Sequence, residues 1–260
     1  MAKVIAIINQ KGGVGKTTTA VNLSALLGAM GQRVLMIDLD PQGNTTSGLG
    51  MEVDDKSIYE VIMGRMKLTD VMEETEFKNL SIAGSDVRLE NAELELVEVE
   101  KREYRLKTAV QSVQQDFDFI FIDCPPSLGL LTINALGAAD SVLIPIQCEY
   151  YALEGVASLM NTISRVKKTI NPHLEIEGVL LTMLDGRTNL GLQVVDEVKK
   201  HFKKQVYATV IPRSVRLGEA PSHGEPIHVY DKRSAGCVAY VNLAKEVLKR
   251  NNIKVKEFKL

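Results

Sequence analysis

The stretch that decides the fold lies at residues 4–19 and reads VIAIINQKGGVGKTTT. Its first five residues, Val4–Ile8, form an unbroken apolar run, which is typical of a β-strand covered on both faces. A glycine-rich turn follows this run, and a helical pattern begins near Lys16. Because a phosphate-binding loop needs a strand, a glycine-rich turn and a helix in this order, the stretch predicts such a loop.

The residues of this loop suit a bound triphosphate. Its three glycines allow successive backbone N–H groups to turn inward around a phosphate, and the helix adds its positive end. We expect Lys16 to reach the β- and γ-phosphates and the Thr17 hydroxyl to bind Mg²⁺. The loop departs from the common pattern at Gln10, where a glycine is usual, and a second lysine, Lys11, follows at its mouth.

Apolar runs and helical patterns alternate along the whole chain, which predicts an α/β fold. Crossover connections of this kind give a mostly parallel, twisted sheet with helices on both faces. The predicted strands are Val4–Ile8, Arg33–Ile37, Asn79–Ala83, Phe119–Ile122, Ser141–Ile146, Gly178–Met183 and Val206–Ile211. The predicted helices are Lys16–Met30, Ser57–Met63, Glu90–Gln115, Leu130–Ala138, Leu153–Thr169, Leu190–Lys203 and Ala235–Arg250.

Composition narrows the class of protein. The 260 residues are 45% hydrophobic and 25% charged with a net charge of −2, which excludes a disordered chain and a globally basic nucleic-acid binder. No apolar run is long enough to span a membrane, and three widely spaced cysteines argue against a disulfide framework or a zinc site. We expect one domain over residues 1–250, a short basic tail over 251–260, and a reducing, cytoplasmic location.

Aspartates follow two of the predicted strands. Asp38 and Asp40 come at the end of the second strand, and Asp123 ends a later one. Since ligands of open α/β sheets bind beyond the carboxyl ends of the strands, these carboxylates should face the phosphate loop. We predict that Asp123 holds Mg²⁺ through water and that Asp40 orients the attacking water. Asp38 could instead cap the N-terminus of a helix.

The segment Cys124–Gly129 reads CPPSLG, a stiff turn that ends in glycine. Two interpretations stay open for it. It suits a loop that responds to the γ-phosphate, and it equally suits a purely structural turn.

Together these motifs resemble the ParA/Soj family of chromosome- and plasmid-partitioning ATPases. The resemblance rests on KGGVGKTT at 11–18, DLDPQGN at 38–44 and DCPPS at 123–127, and on QCEYYALEG at 147–155, LTMLDGRTN at 181–189 and EAPSHG at 219–224. The resemblance covers about residues 1–250, and it is strongest for the short chromosomal members of the family. The helix-turn-helix extension of longer plasmid members is missing before the first strand, so site-specific operator binding is not expected.

The resemblance implies roles for the nucleotide site. Lys11 matches the signature lysine that reaches the partner's nucleotide in an ATP-sandwiched dimer, and Asp40 matches an aspartate needed for hydrolysis. The family's catalytic set is thus Lys11, Lys16 and Asp40, and its metal set is Thr17 and Asp123. The residues expected to bind ATP are Lys11, Gly12, Gly13, Val14, Gly15, Lys16, Thr17, Thr18, Pro212 and Ser214. Ser214 stands where close relatives often have asparagine.

The resemblance also implies partners. ATP-bound dimers of this family bind DNA without sequence preference, and a ParB/Spo0J-type centromere-binding protein stimulates hydrolysis and releases them. Arg187 and Arg216 match the family's DNA-contacting arginines, and an ATP-bound form would be associated with the nucleoid. Charge alone adds weaker candidates, which fit a solvated surface equally well: Lys199, Lys200, Lys203, Lys204, Lys245, Lys249 and Arg250.

Three other functions compete with DNA partitioning. A MinD-like positioning ATPase would end in an amphipathic membrane helix, but the apolar residues of the tail lack helical spacing, so stable membrane binding is not expected. A nitrogenase-type iron protein would need paired cysteines for a cluster, and Cys124 and Cys148 lack that context. A phosphoryl-transfer ligase would need a second small-molecule pocket, for which the sequence has no signature.

Overall fold

An eight-stranded sheet forms the centre of the protein, in the order β3-β4-β2-β5-β1-β6-β7-β8. The computed structural model describes residues 1–149, 154–187, 189–255 and 258. Only β3 runs antiparallel to its neighbour among the strands described. The strands are β1 (Lys3–Ile7), β2 (Val34–Asp38), β3 (Met72–Glu74), β4 (Leu80–Ala83), β5 (Phe119–Asp123), β6 (Ser141–Gln147), β7 (Glu175–Leu184) and β8 (Val206–Pro212).

Helices cover both faces of the sheet and enclose two layers of buried side chains. α1, α10, α11 and α12 contribute to one layer, and α3 to α9 contribute to the other. The helices are α1 (Lys16–Ala29), α2 (Asn44–Gly48), α3 (Ile58–Ile62), α4 (Leu68–Val71), α5 (Leu89–Glu95), α6 (Arg105–Val113), α7 (Leu130–Ala138), α8 (Glu154–Thr169), α9 (Asn189–Phe202), α10 (Val215–Glu219), α11 (Ile227–Tyr230) and α12 (Ala235–Arg250). The predicted mostly parallel sheet with helices on both faces is confirmed.

One predicted helix is wrong. The pattern over Glu90–Gln115 suggests a continuous helix, but α5 ends at Glu95 and α6 begins only at Arg105. Contacts from α7 explain the break, because the Asn134 side chain accepts the Leu106 N–H and donates to the Arg102 carbonyl. These nonlocal hydrogen bonds are outside the reach of a periodicity argument. The sequence also gave no sign of β3, a short and partly exposed edge strand.

The C-terminal helix and three described residues after it pack against one buried layer of the protein. The Arg250 guanidinium donates to the Val206 carbonyl at 2.8 Å and lies 3.9 Å above the centre of the Tyr207 ring. Arg250 is therefore a structural residue, although its charge made it a candidate for DNA contact. Beyond α12, Ile253, Val255 and Phe258 pack against the buried layer around α1 and α12.

In the part of the chain that the structure describes, no helix is both long and apolar enough to cross a membrane.

A close approach between α1 and the loop before β4 gives a stability test. A Cβ atom on Gly28 would overlap the Lys78 carbonyl oxygen, which is backbone and cannot turn away. Alanine favours a helix over glycine by about 1 kcal/mol, but overpacking costs about 1–3 kcal/mol. Because the overlapping atom is backbone, we take the upper part of the overpacking range and expect Gly28→Ala to lower the free energy of unfolding by about 1–2 kcal/mol, measured by urea denaturation.

Gly218→Ala is the matched control for this test. Gly218 is also helical, in α10, and a Cβ there would meet no atom within 4 Å. Its stability should equal or slightly exceed that of the wild type. Equal unfolding midpoints for the two variants would contradict the close approach at Gly28.

Candidate functional site

A cavity of about 550 Å³ opens at the carboxyl edge of the sheet, beside the ends of β1, β2 and β5. The glycine-rich loop forms one wall, and the loops after β2, β5 and β8 supply the others. The lining residues that bear on function are Gly12, Gly13, Gly15, Lys16, Thr17, Thr18, Asp40, Gln42, Pro126, Met183, Leu217, Gly218 and Pro221. The cavity thus brings most of the predicted loop together with Asp40.

The backbone of the loop is preset for an anion. Gly13 and Gly15 have φ angles of 72° and 88°, in the left-handed region that favours glycine. Gly15 precedes the first residue of α1 and no side chain caps this helix, so its first N–H groups stay available to a ligand. The Thr182 hydroxyl donates to the Val14 carbonyl at 2.8 Å and ties the loop to β7.

Lys16 is buried within the loop. Its ammonium group donates to the Lys11 carbonyl at 3.2 Å, and the residue is only 7% exposed. Burial lowers the pKa of Lys16, while the nearby carboxylates of Asp123 and Asp40 act in the opposite direction. A cation held between a glycine-rich loop and two carboxylates is suited to a bound polyphosphate with its metal ion.

Asp123, the last residue of β5, has one engaged and one unpaired oxygen. Its Oδ2 accepts the Thr17 hydroxyl at 2.8 Å and the Thr45 hydroxyl at 2.7 Å, and its fully buried Oδ1 has no partner. Burial raises the pKa of Asp123 to about 6, although the two hydroxyls and Lys16 lower it. Hydroxyl and carboxylate oxygens are ligands that Mg²⁺ accepts, so Thr17 and Asp123 fit such an ion.

Asp38 supports the neighbouring loop instead of facing the cavity. It is fully buried, lies opposite Asp123 in the register of β2 and β5, and accepts the Thr46 N–H at 2.9 Å and the Thr46 hydroxyl at 2.7 Å. Burial and the charge of Asp123 raise the pKa of Asp38 to about 7. The N-cap residue of α2 is Gly43, so Asp38 is not the N-cap of this helix, although it accepts an N–H from the first turn of α2 at Thr46.

Asp40 lies past the end of β2 and lines the cavity together with Lys16. It is 8% exposed, and its Oδ1 accepts the Gln42 N–H at 3.1 Å. The structure therefore separates the two aspartates of this strand end. Asp38 is fixed in the protein interior, and Asp40 borders the space that a ligand would fill.

The loop after β8 lines a second, smaller cavity of about 180 Å³. Pro212 and Ser214 lie on one side of it, and Gly15 and Thr18 of the glycine-rich loop lie on the other. The two cavities share the lining residues Gly15, Thr18, Met183, Leu217 and Gly218, so they lie side by side. The predicted adenine-side residues are thus adjacent to the predicted phosphate side.

Both arginines expected to contact DNA lie beyond the carboxyl ends of β7 and β8, which are adjacent parallel strands. Arg187 is well exposed and pairs with Asp185 at 2.7 Å. Arg216 pairs with Glu219 at 2.9 Å and with Asp231 at 3.4 Å. Each arginine is therefore partly neutralised within the chain. Tyr150–Leu153 and Thr188, which belong to the motifs quoted above, lie outside the described residues.

Thr45 and Thr46 were not predicted as site residues. Each supplies a hydroxyl to a buried aspartate, Thr45 to Asp123 and Thr46 to Asp38. Two threonines in the first turn of a helix, directly after an aspartate-rich strand end, were the available signal. Of the three cysteines, all are buried and none forms a disulfide.

The chain is similar in sequence to chromosome-partitioning proteins. The AAA domain family matches residues 2–176. The sporulation initiation inhibitor protein Soj of Bacillus subtilis is 59% identical over 95% of this chain and 98% of its own. The chromosome partitioning protein ParA of Myxococcus xanthus is 51% identical over 98% of this chain and 90% of its own.

Solved structures agree with this relationship. Cobyrinic acid a,c-diamide synthase from Mycobacterium smegmatis, with bound ADP and magnesium, superposes with a TM-score of 0.86 at 37% identity, covering 97% of this chain and 96% of that one. The cell division ATPase MinD of Pyrococcus furiosus superposes with a TM-score of 0.80 at 28% identity, covering 96% and 99%. With the phosphate-loop geometry described above, these findings show that the chain belongs to the ParA/Soj family of P-loop partitioning ATPases.

Proposed function

We propose that this protein is a DNA-partitioning switch that hydrolyses ATP with Mg²⁺. The observation that carries the proposal is that Lys16 of the anion loop lies near Asp123, whose buried Oδ1 has no partner and whose Oδ2 accepts the Thr17 hydroxyl. That arrangement provides a cation for phosphate oxygens and an oxygen cluster for a divalent metal. Solved relatives with ADP and magnesium support the same ligands here.

The chain's own residues would act on the triphosphate as follows. Backbone N–H groups of the loop and Lys16 would bind the phosphate oxygens, and Thr17 and Asp123 would hold Mg²⁺, Asp123 through water. When bound, Mg²⁺ supplies charge neutralisation at the β- and γ-phosphates. Asp40 orients the attacking water, because a carboxylate near a γ-phosphate acts more by positioning than by abstracting a proton.

The remaining nucleotide contacts would involve residues of both adjacent cavities. Gly12, Gly13, Val14, Gly15 and Thr18 would surround the phosphates, and Pro212 and Ser214 would border the adenine. The smaller cavity between the loop after β8 and Thr18 supports this assignment. Lys11, which is half-buried at the mouth of the loop, would reach the nucleotide of a second copy.

An ATP-sandwiched homodimer would explain how nucleotide controls DNA binding. Two copies sharing two nucleotides dimerise only when ATP is bound, and each contributes Arg187 and Arg216 to one DNA-facing surface. Contacts to DNA phosphates alone give Kd values of about 10⁻⁴ to 10⁻⁶ M. A dimer has twice as many such contacts, and its second copy binds at a high effective concentration once the first is bound, so the affinity for DNA rises. A ParB/Spo0J-type protein would stimulate hydrolysis and release the dimer from the nucleoid. In this proposal residues 1–250 act as one ATPase domain in the cytoplasm.

The competing MinD-like function requires a membrane-binding tail. Here Ile253, Val255 and Phe258 pack against the core layer of α1 and α12, so these apolar side chains are already engaged by the protein. This packing favours a DNA surface over a membrane surface as the docking target. Flotation with anionic liposomes and ATP tests the choice, and robust co-flotation would favour the membrane function.

The nucleotide switch predicts opposite behaviour for two variants. Lys16→Ala removes the buried phosphate cation, so it should bind no DNA under any nucleotide condition. Asp40→Ala should retain ATP, lose hydrolysis and stay on DNA with ATP. DNA binding is measured with ATP, ADP and no nucleotide, and equal affinity of the wild type in all three conditions would defeat the switch.

The DNA surface predicts a loss that depends on position. Arg187→Glu and Arg216→Glu should weaken DNA binding at least about 10-fold and flatten its salt dependence, while ATP-dependent dimers still form. Arg33→Glu is the control, since Arg33 is exposed and ion-paired to Asp118 but lies at the opposite, amino edge of the sheet. Normal DNA binding by either of the first two variants would remove that arginine from the surface.

A further inference from the structure

Helix α5 contacts the segment that follows Asp123, the proposed Mg²⁺ ligand, and the segment that follows Asp40, the residue proposed to orient water. The Glu93 Oε1 accepts the Leu131 N–H at 3.2 Å, at the end of the loop that follows Asp123. One turn earlier, the Glu90 Oε1 accepts the Gln42 side-chain amide at 3.2 Å. Neither Glu90 nor Glu93 is among the residues assigned to the nucleotide, so these two contacts have no role in the site described so far.

The contact from Glu93 reaches the cavity along a short path. Leu131 lies in the first turn of α7, directly after the segment Cys124–Gly129, and Pro126 of that segment lines the cavity. Gly129 is the N-cap of α7 and supplies no side chain of its own. A Cβ atom on Gly129 would overlap the Glu93 carboxylate, so the glycine is what allows Glu93 to approach.

The contact from Glu90 ends at Asp40. The Gln42 side chain binds Glu90, and the Gln42 backbone N–H binds the Asp40 Oδ1 at 3.1 Å. Gln42 therefore connects α5 to the carboxylate that is proposed to orient water. The two glutamates thus contact two separate segments of the chain, and each segment contributes lining residues to the same cavity.

Buried side chains and neighbouring ion pairs fix α5 in place. Leu89, Ala92 and Leu96 are fully buried in the core layer. Just before the helix, Arg88 pairs with Asp86 at 2.8 Å and with Glu60 at 3.0 Å. A platform fixed in this way can set the separation of two loops that would otherwise move independently.

We propose that Glu93 and Glu90 are positioning residues for ATP hydrolysis, holding the loops of Asp123 and Asp40 at the separation the reaction requires. The inference rests on the proposed ATPase site. Its physical reason is that a displacement of about 1 Å at a reacting centre can lower a rate about 100-fold. Glu93 has the larger effect, because it is half-buried and acts on backbone, whereas Glu90 is exposed and acts on a side chain.

The test separates positioning from simple helix capping. Glu93→Ala should lower kcat for ATP at least 10-fold while KM stays within twofold, and it should also lower the unfolding midpoint. In Glu93→Ala/Gly129→Ser, the new hydroxyl can cap the same first-turn N–H groups of α7 from within the loop. That double variant should regain the unfolding midpoint but keep kcat at least fivefold below wild type, because the link to α5 is still absent.

Two further variants complete the set. Glu93→Gln keeps an acceptor oxygen and should retain kcat within threefold. Glu98→Ala removes an exposed glutamate that makes no hydrogen bond or ion pair to any residue the structure describes, and it should leave kcat unchanged. Recovery of kcat together with stability in the double variant would overturn the proposal, as would an unchanged or increased kcat in Glu93→Ala. Wild-type turnover that survives Lys16→Ala would instead contradict the ATPase site itself.

Discussion

The burial of two carboxylates side by side at the ends of β2 and β5 is the constraint on which the site depends. The strand register places Asp38 opposite Asp123, and burial raises the pKa of both. Buried charges of like sign are tolerated only when hydrogen bonds or cations compensate them. Thr46 compensates Asp38, while Thr17, Thr45 and Lys16 compensate Asp123. The loops after β1 and β2 are therefore held in place by the carboxylates that they surround.

This arrangement explains why the unpaired Oδ1 of Asp123 is informative. Every other carboxylate oxygen in this buried pair has a donor, whereas this atom is buried without one. An orphaned acceptor beside a hydroxyl and a phosphate loop costs stability unless a ligand supplies the missing partner. A divalent ion with its water shell is the partner that fits the proposed function. Without that partner, the buried and unpaired oxygen lowers the stability of the fold.

Features that depend on residues close together in the sequence could be predicted, and features that depend on residues far apart in the sequence could not. The positions of Lys16, Thr17 and Asp123 could be predicted, because a local motif and the end of a buried strand determine them. The break between α5 and α6 could not be predicted, because it depends on hydrogen bonds from Asn134 of α7, which lies outside the segment. Thr45 and Glu93 were missed for the same reason, since each matters through a residue more than thirty positions away. The sheet and the phosphate loop were thus predictable, and the contacts that join the loops around the cavity were not.

In the proposed function, the intramolecular ion pairs of Arg187 and Arg216 give a physical reason for DNA binding to require a dimer. Exposed ion pairs contribute about 0–1 kcal/mol, so a DNA phosphate that displaces Asp185 or Glu219 gains little at each site. A monomer would then bind DNA weakly, and the carboxylates beside its arginines would repel the phosphates that approach. Two copies fixed in one orientation double the number of contacts, and the entropy of association is lost only once. In this proposal the carboxylates keep the single copy off DNA, and nucleotide-dependent pairing is what overcomes them.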